Sequence, residues 1–284
     1  NVYDQFNYSV KSPLAIKEFI NFVYYNWDQN YKLKYVSLLG DATYDYREDK
    51  FRKADIVPTF FYQTEKFGAV PTDYPFGLIV GDDLIPDIAV GRIPVPLNSQ
   101  LIRYIQKVET YLAVGIADWM NKSLFISGND RNTFELNNSA FPAFRSQNQR
   151  TIDLSMPRNY TTYKLNTIRD DSLDFDPNFG GSTDLINYFD EGVNYMCFMG
   201  HGGGGIWADV DLMNVNDIDL LNNNGKFPFV NSLSCYTGAF ENPGYSSLGD
   251  AMLLEPEKGC IAFYGASGLG WVHNDFMLGV RLPH

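Results

Sequence analysis

The chain has 284 residues, of which 45% are hydrophobic and 20% are charged. This is the composition of an ordinary globular protein, and it excludes a disordered, collagen-like or coiled-coil chain. Its 22 basic and 34 acidic residues give a net charge of −12, which argues against nucleic acid or an anionic membrane as the main partner. Because no apolar run reaches about 18 residues, the sequence predicts no membrane span.

The three cysteines and the two ends of the chain set further limits. Cys197, Cys235 and Cys260 are too few, and odd in number, for a disulfide framework, and they lack zinc-site spacing. The chain opens at Asn1 without Met or a signal segment, so we expect it to be excised from a longer precursor. A helical pattern at 274–280 runs close to the C-terminus, and we expect the chain to truncate its last domain there.

The first predicted elements alternate helices with short apolar strands. Ser12 followed by Pro13 is typical of a helix start and predicts a helix that continues to Trp27. Apolar runs predict strands at 35–41, 78–83 and 87–92, of which the last two form a hairpin or a sheet edge because they lie so close together. A long helix is then predicted from 98 to 114.

The second half repeats this alternation around more apolar strands. Strands are predicted at 123–127, 162–165, 193–199, 227–234 and 259–265, and helices at 133–149, 183–189, 215–221 and 246–254. Strands separated by helices imply a mostly parallel sheet covered on both faces, and continuous apolar strands fit that burial. We therefore predict a three-layer α/β fold with two α/β subdomains, residues 1–120 and 121–284.

Two reactive side chains directly follow apolar strands. His201 comes after the run 195–200 and Cys235 after 229–234, so they are 235 − 201 = 34 residues apart, about one crossover. Ligands of open α/β sheets bind beyond the carboxyl ends of the strands. Neighbouring strands hold the imidazole and the thiol at one sheet edge, where a base can generate thiolate from a thiol whose ordinary pKa is about 8.5.

Four glycines, 202–205, follow His201. The backbone N–H groups of Gly202 and Cys235 are candidates for an oxyanion hole. A flexible loop or a phosphate cradle is the alternative for the glycines, although the motif lacks the endings of known phosphate loops. The alternative for Cys235 is a buried small hydrophobe, the role we assign to the other two cysteines.

These residues stand in motifs that resemble the gingipain family of cysteine peptidases, within the caspase-like clan. The matching segments, in chain order, are 2–8, Ser12-Pro13-x-Ala15-Ile16, 35–41, Thr72-Asp73-Tyr74, Val90-Gly91-Arg92, Gly200-His201-Gly202, Ser234-Cys235-x-x-Gly238-x-Phe240 and Gly259-x-Ile261-Ala262. The resemblance implies a caspase-like fold, a Cys–His dyad, and export from a bacterial cell as one domain of a larger surface protein.

The resemblance also implies roles for single residues. Cys235 matches the nucleophile and His201 the general base, while Asp130 stands where the family places an acid that orients the His; a turn or cap role is its alternative. Glu135 is the one acid in the window where arginine-directed members carry a pocket acid, so we expect a weak or absent preference for basic P1 residues. Trp271 matches an aromatic pocket wall, with core packing as its alternative.

An acidic group in the first half is a candidate metal site. Asp73, Asp82, Asp83 and Asp87 supply the carboxylate oxygens that calcium favours. Family members carry structural calcium, and the alternative is that these carboxylates are simply solvated. No cofactor is expected to be required for the reaction itself.

The function predicted on these grounds is that of a secreted cysteine endopeptidase acting on protein or peptide substrates through an acyl-enzyme. One alternative is a sortase-like transpeptidase of type IX secretion, in which an amine resolves the acyl-enzyme. Others are a non-catalytic surface domain of the same fold and a module that binds proteins or glycans. Retention of both Cys235 and His201 favours an enzyme.

Overall fold

The computed structural model describes residues 1–28, 30–47, 49–50, 53–65, 68–129, 143–170, 172–207 and 211–281, without the side chains of 272 and 273. The chain forms two compact units. The first comprises Asn1–Leu101 and Phe240–Gly244, and the second comprises Ile102–Ala239 and Tyr245–His284. The subdomain limits 1–120 and 121–284 remain a prediction.

The first unit contains short helices and two pairs of strands. Its elements are α1 (Val2–Phe6), α2 (Pro13–Asn26), β1 (Tyr35–Leu39), β2 (Phe60–Thr64), β3 (Gly68–Thr72) and β4 (Ala89–Ile93), followed by α3 (Asn98–Ala113), which runs on into the second unit. Strand β1 pairs in parallel with β4, and β2 pairs antiparallel with β3. Helix α2 begins as predicted, since the Ser12 hydroxyl accepts the N–H of Leu14 at 3.1 Å.

The segment predicted as a strand at 78–83 is a loop, and the hairpin predicted there is wrong. Asp87 accepts the N–H groups of Ile79 and Val80 at 2.7 and 2.8 Å, so side-chain hydrogen bonds replace a strand ladder. The hairpin of this unit is instead formed by β2 and β3.

The second unit is built on a five-stranded parallel sheet. Its elements are β5 (Lys122–Ser127), α4 (Ala143–Ser155), β6 (Thr161–Asn166), α5 (Ser182–Glu191), β7 (Tyr195–Met199), β8 (Ile206–Trp207), β9 (Met213–Asn214), β10 (Phe229–Leu233), α6 (Leu248–Leu254), β11 (Ala262–Gly265) and α7 (Val272–Arg281). The strand order is β11-β10-β7-β5-β6, and all four pairings are parallel. This confirms the predicted parallel sheet.

Both faces of that sheet are covered, which makes three layers. Alternate residues of β7 enter opposite cores because successive strand side chains point to opposite faces. Met196 and Phe198 pack with residues of α5 and α6, whereas Tyr195, Cys197 and Met199 pack with residues of α4 and α7. Among the described helices, none is long and apolar enough to cross a membrane.

Candidate active site

The register between β7 and β10 places His201 and Cys235 at equivalent positions. Each residue of β7 pairs with the β10 residue 34 positions later, from Tyr195 with Phe229 to Met199 with Leu233. The spacing between His201 and Cys235 is also 34, and each lies two residues beyond its strand. The two side chains therefore leave the carboxyl edge of adjacent parallel strands, as their spacing predicted.

Cys235 differs from the other two cysteines in its surroundings. Its side chain is partly exposed, and the N–H of Gly270 lies 3.4 Å from Sγ. The thiol in turn lies 3.8 Å from the carbonyl oxygen of Gly270, so the sulfur rests against the backbone of the segment after β11. Cys197 and Cys260 are fully buried, and burial raises the pKa of each thiol to about 12. Of the three thiols, Cys235 is the one in a position to react.

The chain turns sharply directly after Cys235. Tyr236 adopts φ of 60°, a left-handed conformation that is strained for a side chain of this size. Its N–H donates to the carbonyl of Gly268 at 2.7 Å, and the N–H of Gly238 donates to Ala266 at 3.0 Å. These bonds to the segment after β11 hold the turn, so strain is stored beside the nucleophile candidate.

The loop after His201 contacts the turn after β10 through its backbone. A Cβ at Gly202 would lie 2.6 Å from the carbonyl oxygen of Cys235 and 2.7 Å from the hydroxyl of Ser234. Glycine is therefore required at 202 for this close approach. Within the described chain, the N–H groups of Gly202 and Cys235 donate to no other residue, which leaves both available to an oxyanion.

The imidazole of His201 is exposed and rests against an aromatic ring. Phe144 of α4 packs edge-on to it, with ring centroids 5.3 Å apart and an interplanar angle of 79°. Phe144 itself is buried in the core beneath α4 and α7. This contact holds one side of the ring.

Of the three remaining residues of the predicted site, the structure describes one. Asp130 and Glu135 lie outside the described residues. Trp271 is 53% exposed and precedes α7, and its carbonyl accepts the N–H of Asp275 at 2.8 Å. Its exposure disagrees with the core-packing alternative. It also lies next to Gly270, which contacts the sulfur of Cys235.

Asp275 is a titratable residue of this region that the sequence did not single out. Its Oδ2 lies where a side chain on Gly270 would begin, 2.6 Å from an ideal Cβ. Burial raises the pKa of Asp275 to about 6, against an ordinary value of 3.8. The available signal was an acid in the first turn of the helix that follows the last strand.

Comparison with known proteins identifies the family. The family model described as peptidase family C25 matches residues 1–282. This chain belongs to peptidase family C25. A curated protein similar in sequence is an uncharacterized protein of Archaeoglobus fulgidus, 26% identical over 290 residues that cover 94% of this chain and 62% of the relative. The C25 chain thus spans less than two thirds of that relative.

Solved structures similar to the C25 chain show its fold. One described as a protease superposes with a TM-score of 0.71 at 19% identity, covering 95% of this chain and 53% of the other. The structure of the Arg-specific cysteine proteinase gingipain R superposes with a TM-score of 0.66 at 18% identity, covering 97% of this chain and 59% of the other. The complex of the Porphyromonas gingivalis gingipain pro- and mature domains superposes with a TM-score of 0.67 at 17% identity, covering 100% of this chain and 60% of the other. The fold is therefore the caspase-like α/β fold that the resemblance implied.

Three of the four acidic residues considered for calcium in this C25 chain accept hydrogen bonds from the protein. Asp73 accepts two hydrogen bonds from the guanidinium of Arg92, at 2.6 and 2.8 Å, and Asp83 accepts the N–H of Ile85. Asp82 is exposed. The backbone N–H groups of Val80 and Ile79 donate to Asp87 and lower the pKa of Asp87. Three or more metal-ligating side chains do not converge anywhere in the described ranges. Calcium favours six to eight oxygens, so these groups as arranged do not fit it, and the calcium site stays a prediction.

Proposed function

We propose that this C25 chain is a cysteine endopeptidase with Cys235 as nucleophile and His201 as general base. The observation that carries the proposal is the strand register, which gives both residues equivalent positions on neighbouring strands. The chemistry needs a base beside a partly exposed thiol, and Cys235 alone of the three cysteines is partly exposed.

The reaction follows from the roles of these two groups. The imidazole of His201 takes the thiol proton, and the Cys235 sulfur attacks the carbonyl carbon of the scissile peptide bond. The tetrahedral intermediate collapses when the imidazolium returns that proton to the leaving amine, which forms a thioester and frees the first product. Water then gives its proton to His201 and attacks the thioester, which restores the thiol and releases the acid.

The oxyanion of each intermediate requires donors that are already in place. The N–H groups of Gly202 and Cys235 suit that role, because neither donates to another described residue and the backbones of the two residues are in close contact. Donors fixed before the reaction cost no reorganisation while negative charge develops on the carbonyl oxygen.

The orienting acid and the pocket complete the proposal. We assign Asp130 to orient His201 and Glu135 to the substrate pocket on the resemblance to the gingipain family. Trp271 is assigned to the pocket wall, and its exposed indole, one residue from Gly270, supports that role. With Glu135 as the one acid in the pocket window, we expect little discrimination in favour of arginine or lysine at P1.

The wider setting of the enzyme is also a proposal. We propose a secreted or cell-surface protein of a bacterium, in which this chain is one domain and proteins or peptides are the substrates. The support is the family resemblance, together with the 53–62% of the relatives' lengths that the chain spans. Fractionation of the source cells, with detection of the intact protein, tests the location.

A cleavage assay with matched cysteine variants tests the proposed reaction. The chain is incubated with a positional-scanning peptide library that includes Arg, Lys, Ala and Leu at P1. Cys235→Ala is expected to abolish cleavage, whereas Cys260→Ala, at a buried thiol two residues before β11, is expected to retain it. Equal cleavage by both variants contradicts the assignment.

The same assay separates the alternatives. Products that carry an added amine nucleophile in preference to water favour a sortase-like transpeptidase of type IX secretion. No turnover of any peptide, together with no selective reaction of Cys235, identifies a non-catalytic surface domain of the same fold.

A further inference from the structure

Four buried polar side chains lie directly beneath the two loops of the candidate site. The hydroxyl of Ser232 is 2.9 Å from that of Thr237 and 3.0 Å from that of Ser234, and the last two are 3.3 Å apart. The indole N–H of Trp207 donates to Ser232 Oγ at 2.9 Å. All four residues are at most 2% exposed. We call this group the hydroxyl cluster.

One member of the hydroxyl cluster belongs to the loop that carries His201. Trp207 ends β8, and the N–H of Gly203 donates to the carbonyl of Ile206 at 3.1 Å, which closes the glycine loop into a hairpin. The Trp207 ring stacks on Phe198 of β7 at 4.5 Å, and its N–H is the donor that reaches the cluster. The position of the His201 loop is therefore tied to the indole.

The other three members belong to the segment that carries Cys235. Ser232 lies in β10, Ser234 directly precedes the cysteine, and Thr237 follows it by two residues. Their hydroxyls meet below the turn, while the thiol between them is partly exposed above it. Gly202 fits against the same group, since a Cβ there would lie 2.9 Å from Cγ2 of Thr237.

Burying these polar groups costs free energy, and the benefit that offsets this cost is a fixed position of the two segments that contribute them. Hydroxyls and an indole N–H removed from water need partners, and this group supplies them within itself. Apolar side chains of similar size can fill such a space without that requirement. A closed set of hydrogen bonds instead admits one relative position of the segments that contribute to it, because any shift leaves a buried donor unpaired.

We propose that Trp207, Ser232, Ser234 and Thr237 are positioning residues that hold the His201 loop in register with the Cys235 turn. This inference rests on the proposed Cys–His reaction. None of the four contacts substrate in that reaction, and they act by fixing where the imidazole lies relative to the sulfur. A displacement of about 1 Å between reacting groups can cost about a hundredfold in rate.

The experiment compares two substitutions at Thr237 with one control. Thr237→Val keeps the side-chain shape and removes the hydroxyl, whereas Thr237→Ser keeps the hydroxyl. Ser123→Ala is the control, because Ser123 is also fully buried and its hydroxyl pairs with Thr162 at 3.0 Å, but at the opposite end of the sheet. Alkylation of Cys235 by iodoacetamide is followed from pH 5.5 to 9, and kcat and KM are measured on a cleaved peptide.

The expected results distinguish the loss of positioning by the hydroxyl from a loss of the folded structure. Thr237→Val lowers kcat and the alkylation rate at pH 6.5 by about tenfold or more, with KM within about twofold. Thr237→Ser and Ser123→Ala stay within about threefold of the parent chain. If Thr237→Val fails to fold by circular dichroism, Ser234→Ala takes its place with the same expectation.

Two outcomes overturn the inference, and they are distinguishable from failure of the proposed function. If Thr237→Val behaves like Ser123→Ala, or if the Val and Ser variants lose activity equally, the hydroxyl has no positioning role. If the alkylation profile of Cys235 in the His201→Ala variant equals that of the parent chain, the proposed reaction is contradicted, and so is the positioning role that depends on it.

Discussion

Gly202 and Cys235 meet through their backbones, with so little room that a Cβ at 202 would lie 2.6 Å from the Cys235 carbonyl oxygen. Gly202 does not adopt a positive φ, so the requirement for glycine is one of space and not of backbone conformation. The contact joins the residue after the proposed base to the proposed nucleophile. It makes the separation of the two loops a fixed property of the fold.

Substitution at Gly202 should therefore impair catalysis more than folding. Gly202→Ala forces the His201 loop away from Cys235, and we expect kcat/KM to fall by about a hundredfold or more. Gly203→Ala is the matched control, because a Cβ there meets only Cγ2 of Ile206 at an ordinary 3.4 Å. Peptide hydrolysis by the two variants decides the matter, and similar losses in both contradict the steric argument.

The left-handed conformation of Tyr236 predicts which residues this position tolerates. Asn adopts φ near 60° readily, whereas a β-branched residue does not. We expect Tyr236→Val to be less stable than Tyr236→Asn by about 1–2 kcal/mol. Urea unfolding at pH 7 measures the difference. If the Val variant is as stable as the Asn variant, the turn after Cys235 is not held in this conformation.

Asp275 should make stability depend on pH between about 4 and 6. Burial raises the pKa of Asp275 in the folded chain to about 6 from its ordinary 3.8. A raised folded-state pKa contributes stability below the unfolded value, and this contribution is lost as pH rises through 6. Asp275→Asn is thus expected to raise Tm at pH 7.5 and to leave it nearly unchanged at pH 4.

Asp170 is a control for this prediction, because its pKa is shifted in the opposite direction. Hydrogen bonds from Ser172 lower the pKa of Asp170, so its contribution is present at neutral pH and is lost on acidification. Asp170→Asn should lower Tm at pH 7.5. Thermal unfolding curves that shift in the same direction for both variants at pH 7.5 contradict this account of Asp275.

The buried Lys107 should contribute strongly to the stability of the second unit. Its ammonium lies 3.0, 3.2, 2.8 and 2.6 Å from the carbonyl oxygens of Met252, Leu253, Glu255 and Lys258, at the end of α6, so four acceptors share its three N–H donors. Lys107→Met leaves these acceptors without their donor, and we expect a loss of about 3 kcal/mol or more. Lys32→Met, at an exposed lysine, should change stability by less than about 0.5 kcal/mol. Denaturant midpoints that fall equally contradict the prediction.

The parallel sheet and the position of the two reactive residues were predictable because local patterns determine both. Apolar strands ending in His201 and Cys235 are visible in the sequence, and their spacing of 34 equals the register of the strands. In the first unit the same reasoning failed at 78–83, where Asp87 caps a loop. Strand β1 forms where the apolar run predicted it, but it lies in a two-stranded pair and its Tyr35 is 78% exposed.

Other parts of the site could not be predicted, because they depend on contacts between distant segments. Nothing near Trp207 in the sequence points to Ser232, yet they form a hydrogen bond across 25 residues. The raised pKa of Asp275 likewise follows from its burial in the folded chain. Such partners become visible only when the sheet brings their segments together.

In the proposed reaction His201 and Cys235 act as one unit, and selective alkylation of the thiols decides whether they do. Iodoacetamide is applied from pH 5.5 to 9 to the parent chain and to His201→Ala, and adducts at the three cysteines are quantified by mass spectrometry. We predict that Cys235 reacts at least about a hundredfold faster than the buried Cys197 and Cys260, and that His201→Ala slows it about tenfold or more at pH 6.5. Equal reactivity of the three thiols, or a Cys235 profile unchanged by His201→Ala, contradicts the account.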